Sequence, residues 1–102
     1  MLPDRDPTLA KRLVEQEGAL ILDVRTWPEF VLGHVTGAMR IPHDQLPSRV
    51  AEVLEAVGGE KAKPIVVYCR SGNRSAMAKK HLVDAGFTQV TNLGGYSDWP
   101  NG

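Results

Sequence analysis

Pro64-Ile65-Val66-Val67-Tyr68-Cys69-Arg70-Ser71-Gly72-Asn73-Arg74-Ser75 joins a short apolar run to a polar, glycine-containing turn. Residues 64–68 read as a strand, because the run is β-branched, short and bounded by polar segments. It ends at Cys69. Past the turn, Ala78, Leu82 and Ala85 mark one face of a helix closed by Gly86, and Gln89-Val90-Thr91-Asn92-Leu93 reads as another strand. The unit is therefore strand, loop, helix, strand.

The same alternation extends upstream. Asp6-Pro7 predicts an N-cap followed by proline at the first helical position, and Leu9, Leu13 and Val14 keep helical spacing until Gly18. Ala19-Leu20-Ile21-Leu22-Asp23-Val24 is nearly continuous in its apolar character, as a strand buried on both faces of a parallel sheet reads. Thr26 and Glu29 fit a capping box that starts a short helix stopping at Gly33. Ala38 to Ile41 is the next strand candidate; Leu46, Val50, Val53, Leu54 and Val57 then predict one helix ending at Gly58-Gly59. The order α-β-α-β-α-β-α-β implies right-handed crossovers and a parallel sheet of four or five strands covered on both faces. In such sheets the ligand crevice lies outside the carboxyl ends of the strands, where Cys69 falls.

Length and composition fit this expectation. The 102 residues suit one domain, spanning 1–102, with 42% hydrophobic and 24% charged residues. Twelve basic residues balance twelve acidic ones, so no global field favours nucleic acid or an anionic membrane. No apolar run approaches the ~20 residues of a membrane span, and residues 1–6 lack the apolar core of a signal peptide. The expected compartment is the cytoplasm, or the periplasm if a signal was removed upstream of Met1. One cysteine forbids an intrachain disulfide, and His34, His43 and His81 lack paired zinc spacing, so no structural metal is indicated.

The turn after Cys69 has the makings of an anion site. A tight turn through Gly72 aims successive backbone N–H groups inward, and the following helix adds the positive end of its dipole. Arg70 and Arg74 place two cations near the rim, which favour a thiolate at Cys69 and attract an incoming oxyanion. A free thiol titrates near ~8.5, and such surroundings bring it down to about 3.5–7.5. No histidine stands next to Cys69 to act as a base, and the field of the loop takes that place. A lone cysteine after a strand is more often a small buried hydrophobe. Packing alone, however, requires neither two arginines nor a glycine and a helix start in the next six residues.

On these residues the sequence resembles the rhodanese family. Cys69-Arg70-Ser71-Gly72-Asn73-Arg74-Ser75 is similar to its active-site loop. Three further elements follow the family's order: Asp23-Val24-Arg25 with Glu29-Phe30, Gly33-His34-Val35-Thr36-Gly37-Ala38 with Ile41-Pro42, and Gly94-Gly95 with Trp99. Together they run from residue 19 to residue 99. The resemblance implies a three-layer α/β/α fold and sulfur transfer from thiosulfate or a related donor to cyanide or a thiol, through a persulfide on Cys69. Arg70, Ser71, Gly72, Asn73, Arg74 and Ser75 are the implied substrate contacts, with the loop N–H groups cradling the persulfide. It implies no cofactor and no metal. The partners it implies are a small anionic sulfur donor and a thiol or cyanide acceptor, with a protein as an alternative acceptor.

Two other functions stay open at this point. One is a regulatory module that binds a partner or relays persulfide without turnover. The other is a cysteine phosphatase or arsenate reductase; phosphatases of similar fold enclose five residues between cysteine and arginine, whereas Cys69 and Arg74 enclose four, making a tighter cup. Asp23, Arg25, Glu29 and His34 are read as structural support, with Asp23 and Arg25 bonding loop backbone or a partner such as Glu29. Trp99 is expected to pack the closing segment, Trp27 to stand near the site mouth as an acceptor contact, and Lys79-Lys80 to form a solvated helix face. The amino end is short for the family's first edge strand, and a longer final helix is expected after Trp99.

Overall fold

A computed structural model describes residues 2–100. Its sheet has four strands, β1 (Leu20–Asp23), β2 (Met39–Arg40), β3 (Ile65–Cys69) and β4 (Val90–Gly95), in the order β2-β1-β3-β4 with every pair parallel. The helices are α1 (Pro7–Glu17), α2 (Trp27–Leu32), α3 (Val50–Ala56) and α4 (Asn73–Asp84). Two 3-10 turns cover Leu46–Ser48 and Tyr96–Asp98.

The apolar run of β3 is explained by burial on both faces. Successive side chains of a strand point to opposite sides of the sheet. Ile65, Val67 and Cys69 join Val53 of α3 and Ala78 and Leu82 of α4 in one core layer. Val66 and Tyr68 join Ala10 and Leu13 of α1, Ile21 of β1 and Leu93 of β4 in the other. This parity decides the chemistry: Cys69 faces the α4 side, whereas Tyr68 and the even-numbered register face α1. Helix α2 contributes no buried residue and instead sits after β1, at the carboxyl end of the sheet.

The caps follow the sequence. Asp6 Oδ1 accepts the Leu9 N–H at 3.0 Å, with Pro7 opening α1, and Gly18 closes it in the left-handed region at φ 65 while its N–H returns to the Leu13 carbonyl. The helix expected from Leu46 to Val57 is instead broken. A 3-10 turn forms at Leu46–Ser48, with Pro47 in its first turn, and α3 starts only at Val50, after Arg49 leaves helical geometry at φ −120. Strand β2 is just two residues long, and β4 runs two residues beyond the expected Leu93. The extension carries a bulge: Val67 pairs with Asn92 and Tyr68 with Gly94, leaving Leu93 as the extra residue.

No fifth strand covers β4 among the described residues. An irregular amino-terminal segment does so instead, with Thr91 Oγ1 donating to the Pro3 carbonyl at 2.6 Å and the Arg5 N–H donating to the Asn92 carbonyl at 2.8 Å. After β4 comes the 3-10 turn Tyr96–Asp98, and the longer helix expected after Trp99 falls outside the described residues. Trp99 packs against the α1-side layer as expected. Among the described residues, no helix is long and apolar enough to cross a membrane.

Candidate active site

Cys69 is fully buried at the carboxyl end of β3, beneath the start of α4. Its Sγ accepts the Gly72 N–H at 3.0 Å and lies 3.3 Å from Ser75 Oγ. Burial pushes the thiol up, but the Ser75 hydroxyl and the backbone N–H groups of Ser75, Gly72 and Ser71 outweigh it, and the net shift is downward. The cup expected from the sequence is present. Its donors are hydrogen bonds from within the loop, with the Ser75 side chain foremost, rather than the two arginine charges.

Gly72 is required by its backbone. Its φ of 99 lies in the left-handed region, and a Cβ there would run into the Arg5 guanidinium. Gly95 is constrained from the other side, since a Cβ on it would overlap the Arg70 carbonyl. The loop is thus clasped between the amino-terminal segment and the end of β4.

Ser75 and Asn92 are buried together behind the thiol. Ser75 Oγ is 2.7 Å from Asn92 Oδ1, which also accepts the Gly94 N–H at 2.9 Å, while Asn92 Nδ2 donates to the Gly72 carbonyl at 3.1 Å. A flipped amide would set N–H against N–H and C=O against C=O, so the network fixes its orientation. The single Ser75 proton has three acceptors in reach, Asn92 Oδ1, Cys69 Sγ and, at 3.5 Å, the Gly94 carbonyl. The bond to Asn92 is the shorter, so directing the proton to sulfur gives up that bond.

The arginines differ from expectation. Arg74 is held by Glu29 in a two-point ion pair, both bonds at 2.9 Å, so it is not a free rim cation. It still senses the Cys69 charge. Glu29 Oε1 also accepts the N–H and hydroxyl of Thr26 at 3.0 and 2.9 Å, so the capping residue of α2 also anchors α4. The Arg74 bond and the Thr26 bonds bring its carboxyl down to about 2, against the opposing effect of burial. Arg70 is exposed, and its side chain has no ion-pair partner among the described residues. Ser71 and Asn73 are exposed too, so their side chains line no enclosed site.

Asp23 and Arg25 pair with each other rather than with Glu29. Arg25 Nη2 donates to Asp23 Oδ2 at 2.8 Å and to the Gly33 carbonyl at 2.6 Å. Tyr68 donates its hydroxyl to Asp23 Oδ2 at 2.7 Å and accepts the Val35 N–H at 3.0 Å. Burial and the neighbouring carboxylate push that phenol far above its ordinary range. The cluster lies on the α1 side of the sheet, away from the thiol. His34 is exposed, with Nδ1 2.8 Å from the Phe30 carbonyl and its ring stacked on Phe30 at 3.7 Å. Lys79 does not belong to a solvated face: its Nζ reaches Asp4 Oδ1 at 2.6 Å and the Leu2 carbonyl at 3.2 Å.

Beside the loop opens a cleft of about 560 Å³ lined by Arg25, Glu29, Leu32, Gly33, Arg70, Tyr96 and Ser97. Trp27 is not in its wall. It is exposed, with the Arg40 guanidinium 5.5 Å from its ring centre, and Leu32 and Tyr96 supply the cleft's large apolar groups. Arg5 and Asp4 carried no sequence signal for the site, and Asn92 was read only as part of a strand. Only the closing Gly94-Gly95 element pointed near them.

A buried cysteine thus ends a central parallel strand, with a loop N–H and a hydroxyl directed at its sulfur. Residues 6–101 match the model of the Rhodanese-like domain. The chain belongs to the rhodanese-like domain family. A sulfurtransferase of Allochromatium vinosum is 36% identical over 93 residues, covering 90% of this chain and 81% of that protein. The thiosulfate sulfurtransferase GlpE of Pseudomonas putida is 35% identical over 94 residues, covering 91% and 80%. Among solved structures, the rhodanese-like domain of the Anabaena protein Alr3790 superposes with a TM-score of 0.79 at 33% identity, covering 97% of this chain and 74% of that one. The rhodanese fold and the sulfurtransferase class follow for this chain. Its four-stranded sheet is the lower of the two strand counts the sequence allowed.

Proposed function

We propose that the Cys69 thiolate takes a sulfane sulfur from a small anionic donor of the thiosulfate type and passes it to cyanide or a thiol. In the first half-reaction Sγ attacks the outer sulfur of thiosulfate, the S–S bond of the donor breaks, and sulfite leaves with the bonding pair. In the second, the acceptor attacks the outer sulfur of the Cys69 persulfide, and the Cys69 thiolate is the leaving group. Cyanide gives thiocyanate; a thiol gives a new persulfide. Both steps begin or end on a Cys69 anion, and the observation that carries the reading is that Sγ is met by the Gly72 N–H and the Ser75 hydroxyl. Donors already aimed at that anion stabilise it without reorganisation.

Arg70, exposed on the cleft rim, is the group that attracts the donor anion. Arg74, with its charge compensated by Glu29, orients the start of α4 and reinforces the thiolate. Asp23, Arg25, Tyr68 and His34 hold the strand end and the α2 turn in place.

The test is mass spectrometry of the protein after exposure to thiosulfate, coupled to thiocyanate formation with cyanide. A one-sulfur gain on wild type that is absent in Cys69→Ser is expected. Hydrolysis of an aryl phosphate without thiocyanate would overturn the assignment, and no adduct at all would leave only a binding module.

A further inference from the structure

We infer that Arg5, far from the loop in sequence, is a positioning residue of the sulfur site: it holds the Ser71–Gly72 peptide so that its N–H points at Cys69 Sγ. The inference rests on the sulfur-transfer reading above. A peptide unit is planar and trans, so its C=O and N–H point in opposite directions. The Gly72 N–H donates to Sγ at 3.0 Å, and the Ser71 carbonyl of the same unit points the other way, where Arg5 Nη2 donates to it at 3.2 Å. Fixing one end of the plane fixes the other.

The neighbouring carbonyls of the loop are held as well. The Arg70 carbonyl lies against Gly95, where a Cβ would overlap it. The Gly72 carbonyl accepts from buried Asn92 Nδ2. Of these three backings, those from Gly95 and Asn92 belong to β4, whereas Arg5 alone comes from the amino-terminal segment.

That segment is built to place the guanidinium. Asp4 Oδ1 accepts the Asn92 N–H at 2.9 Å and pairs with Lys79, and the Arg5 N–H returns to the Asn92 carbonyl. Arg5 itself sits at φ 55, the only non-glycine residue with positive φ among those described. Nothing in the backbone there calls for arginine, since asparagine or glycine adopts that region more readily. The guanidinium lies across Gly72 and Gly94, neither of which leaves room for a Cβ beneath it. A long, planar donor over two glycines fits the task of bracing a loop from behind.

Charges around the loop bear on any change in the thiol. Arg74, paired with Glu29, couples to Cys69 from α4; Arg70 stands in the loop; Arg25 is neutralised by Asp23 at the end of β1. Arg5 adds a charge as well as a donor, so the test must separate the two. In the full chain, the rate of Cys69 alkylation by iodoacetamide is measured against pH for wild type and Arg5→Met, at low and high salt. The thiolate fraction at neutral pH is expected to fall about three- to tenfold in the variant, the share of one loosened charge-assisted bond. The difference should persist at high salt, because a direct bond, unlike a distant charge, is little screened. An unchanged profile, or a difference that vanishes in salt, overturns the inference. If Arg5→Met fails to fold, Arg5→Gly, which relieves the left-handed backbone, takes its place. Wild type that alkylates with a lowered pKa but forms no persulfide would sink the sulfur-transfer reading instead, leaving the positioning result intact.

Discussion

Replacing Ser75 by alanine removes one donor from the Cys69 anion while leaving the fold nearly intact. The hydroxyl is 3.3 Å from Sγ and 2.7 Å from Asn92 Oδ1. A hydrogen bond to a charged group contributes about 1.5–3 kcal/mol, and each pKa unit corresponds to about 1.36 kcal/mol, which brackets the effect at about 1–2 units. Because forming the sulfur bond gives up the shorter one to Asn92, the lower end applies, about one unit upward. Asn92 Oδ1 keeps the Gly94 N–H in the variant, so no buried acceptor is orphaned and the stability cost stays near ~1 kcal/mol. Iodoacetamide alkylation followed across pH gives the thiol pKa directly, and thiolate absorbance checks it. An unchanged or lowered pKa in Ser75→Ala would refute the claim that this hydroxyl, rather than the arginines, outweighs the burial of Cys69.

Tyr68→Phe deletes a donor to the buried Asp23 carboxylate and strands the Val35 N–H. It should cost about 1–3 kcal/mol, with each kcal/mol worth about 4–8 °C in thermal melting of a chain this size, and leave the Cys69 pKa unmoved because it lies on the other face of the sheet. Glu29→Gln breaks the two-point pair to Arg74, at about 1 kcal/mol near neutral pH. The sign on the acid side follows from the depressed carboxyl. A group held at about 2 against 4.5 stabilises the fold above the higher value and loses that contribution as pH falls towards the lower. Melting temperature against pH should therefore lose, in the variant, part of the decline that wild type shows between those limits.

Several readings survived folding because they depended only on neighbours in the chain. The N-cap at Asp6, the stop at Gly18 and the bonds from Thr26 to Glu29 are settled within a few residues, and those residues are adjacent in any context. The Leu46 helix failed because the chain leaves helical geometry at Arg49, at φ −120, a break that periodicity ignores. The site is different. Glu29 was visible as a cap but not as the partner of Arg74, 45 residues away, because a carboxylate's sequence neighbours do not reveal what folds against it. Lys79 was read as solvated for the same reason; its partner Asp4 is 75 residues distant.

By itself, the sequence determined the alternation of strands and helices, the turn of N–H donors after Cys69 and the family. These follow from hydrophobic period, turn chemistry and short motifs, all of which are properties of contiguous residues. Tertiary structure alone decided which groups bear on the thiol. Strand parity sends Cys69 towards α4 and Tyr68 towards α1, and the β4 bulge brings Asn92 behind Ser75. The amino-terminal segment then lays Arg5 across Gly72. The physical reason is that a hydrogen bond is set by distances of about 3 Å and by direction, which pattern along a chain does not encode until the sheet has closed.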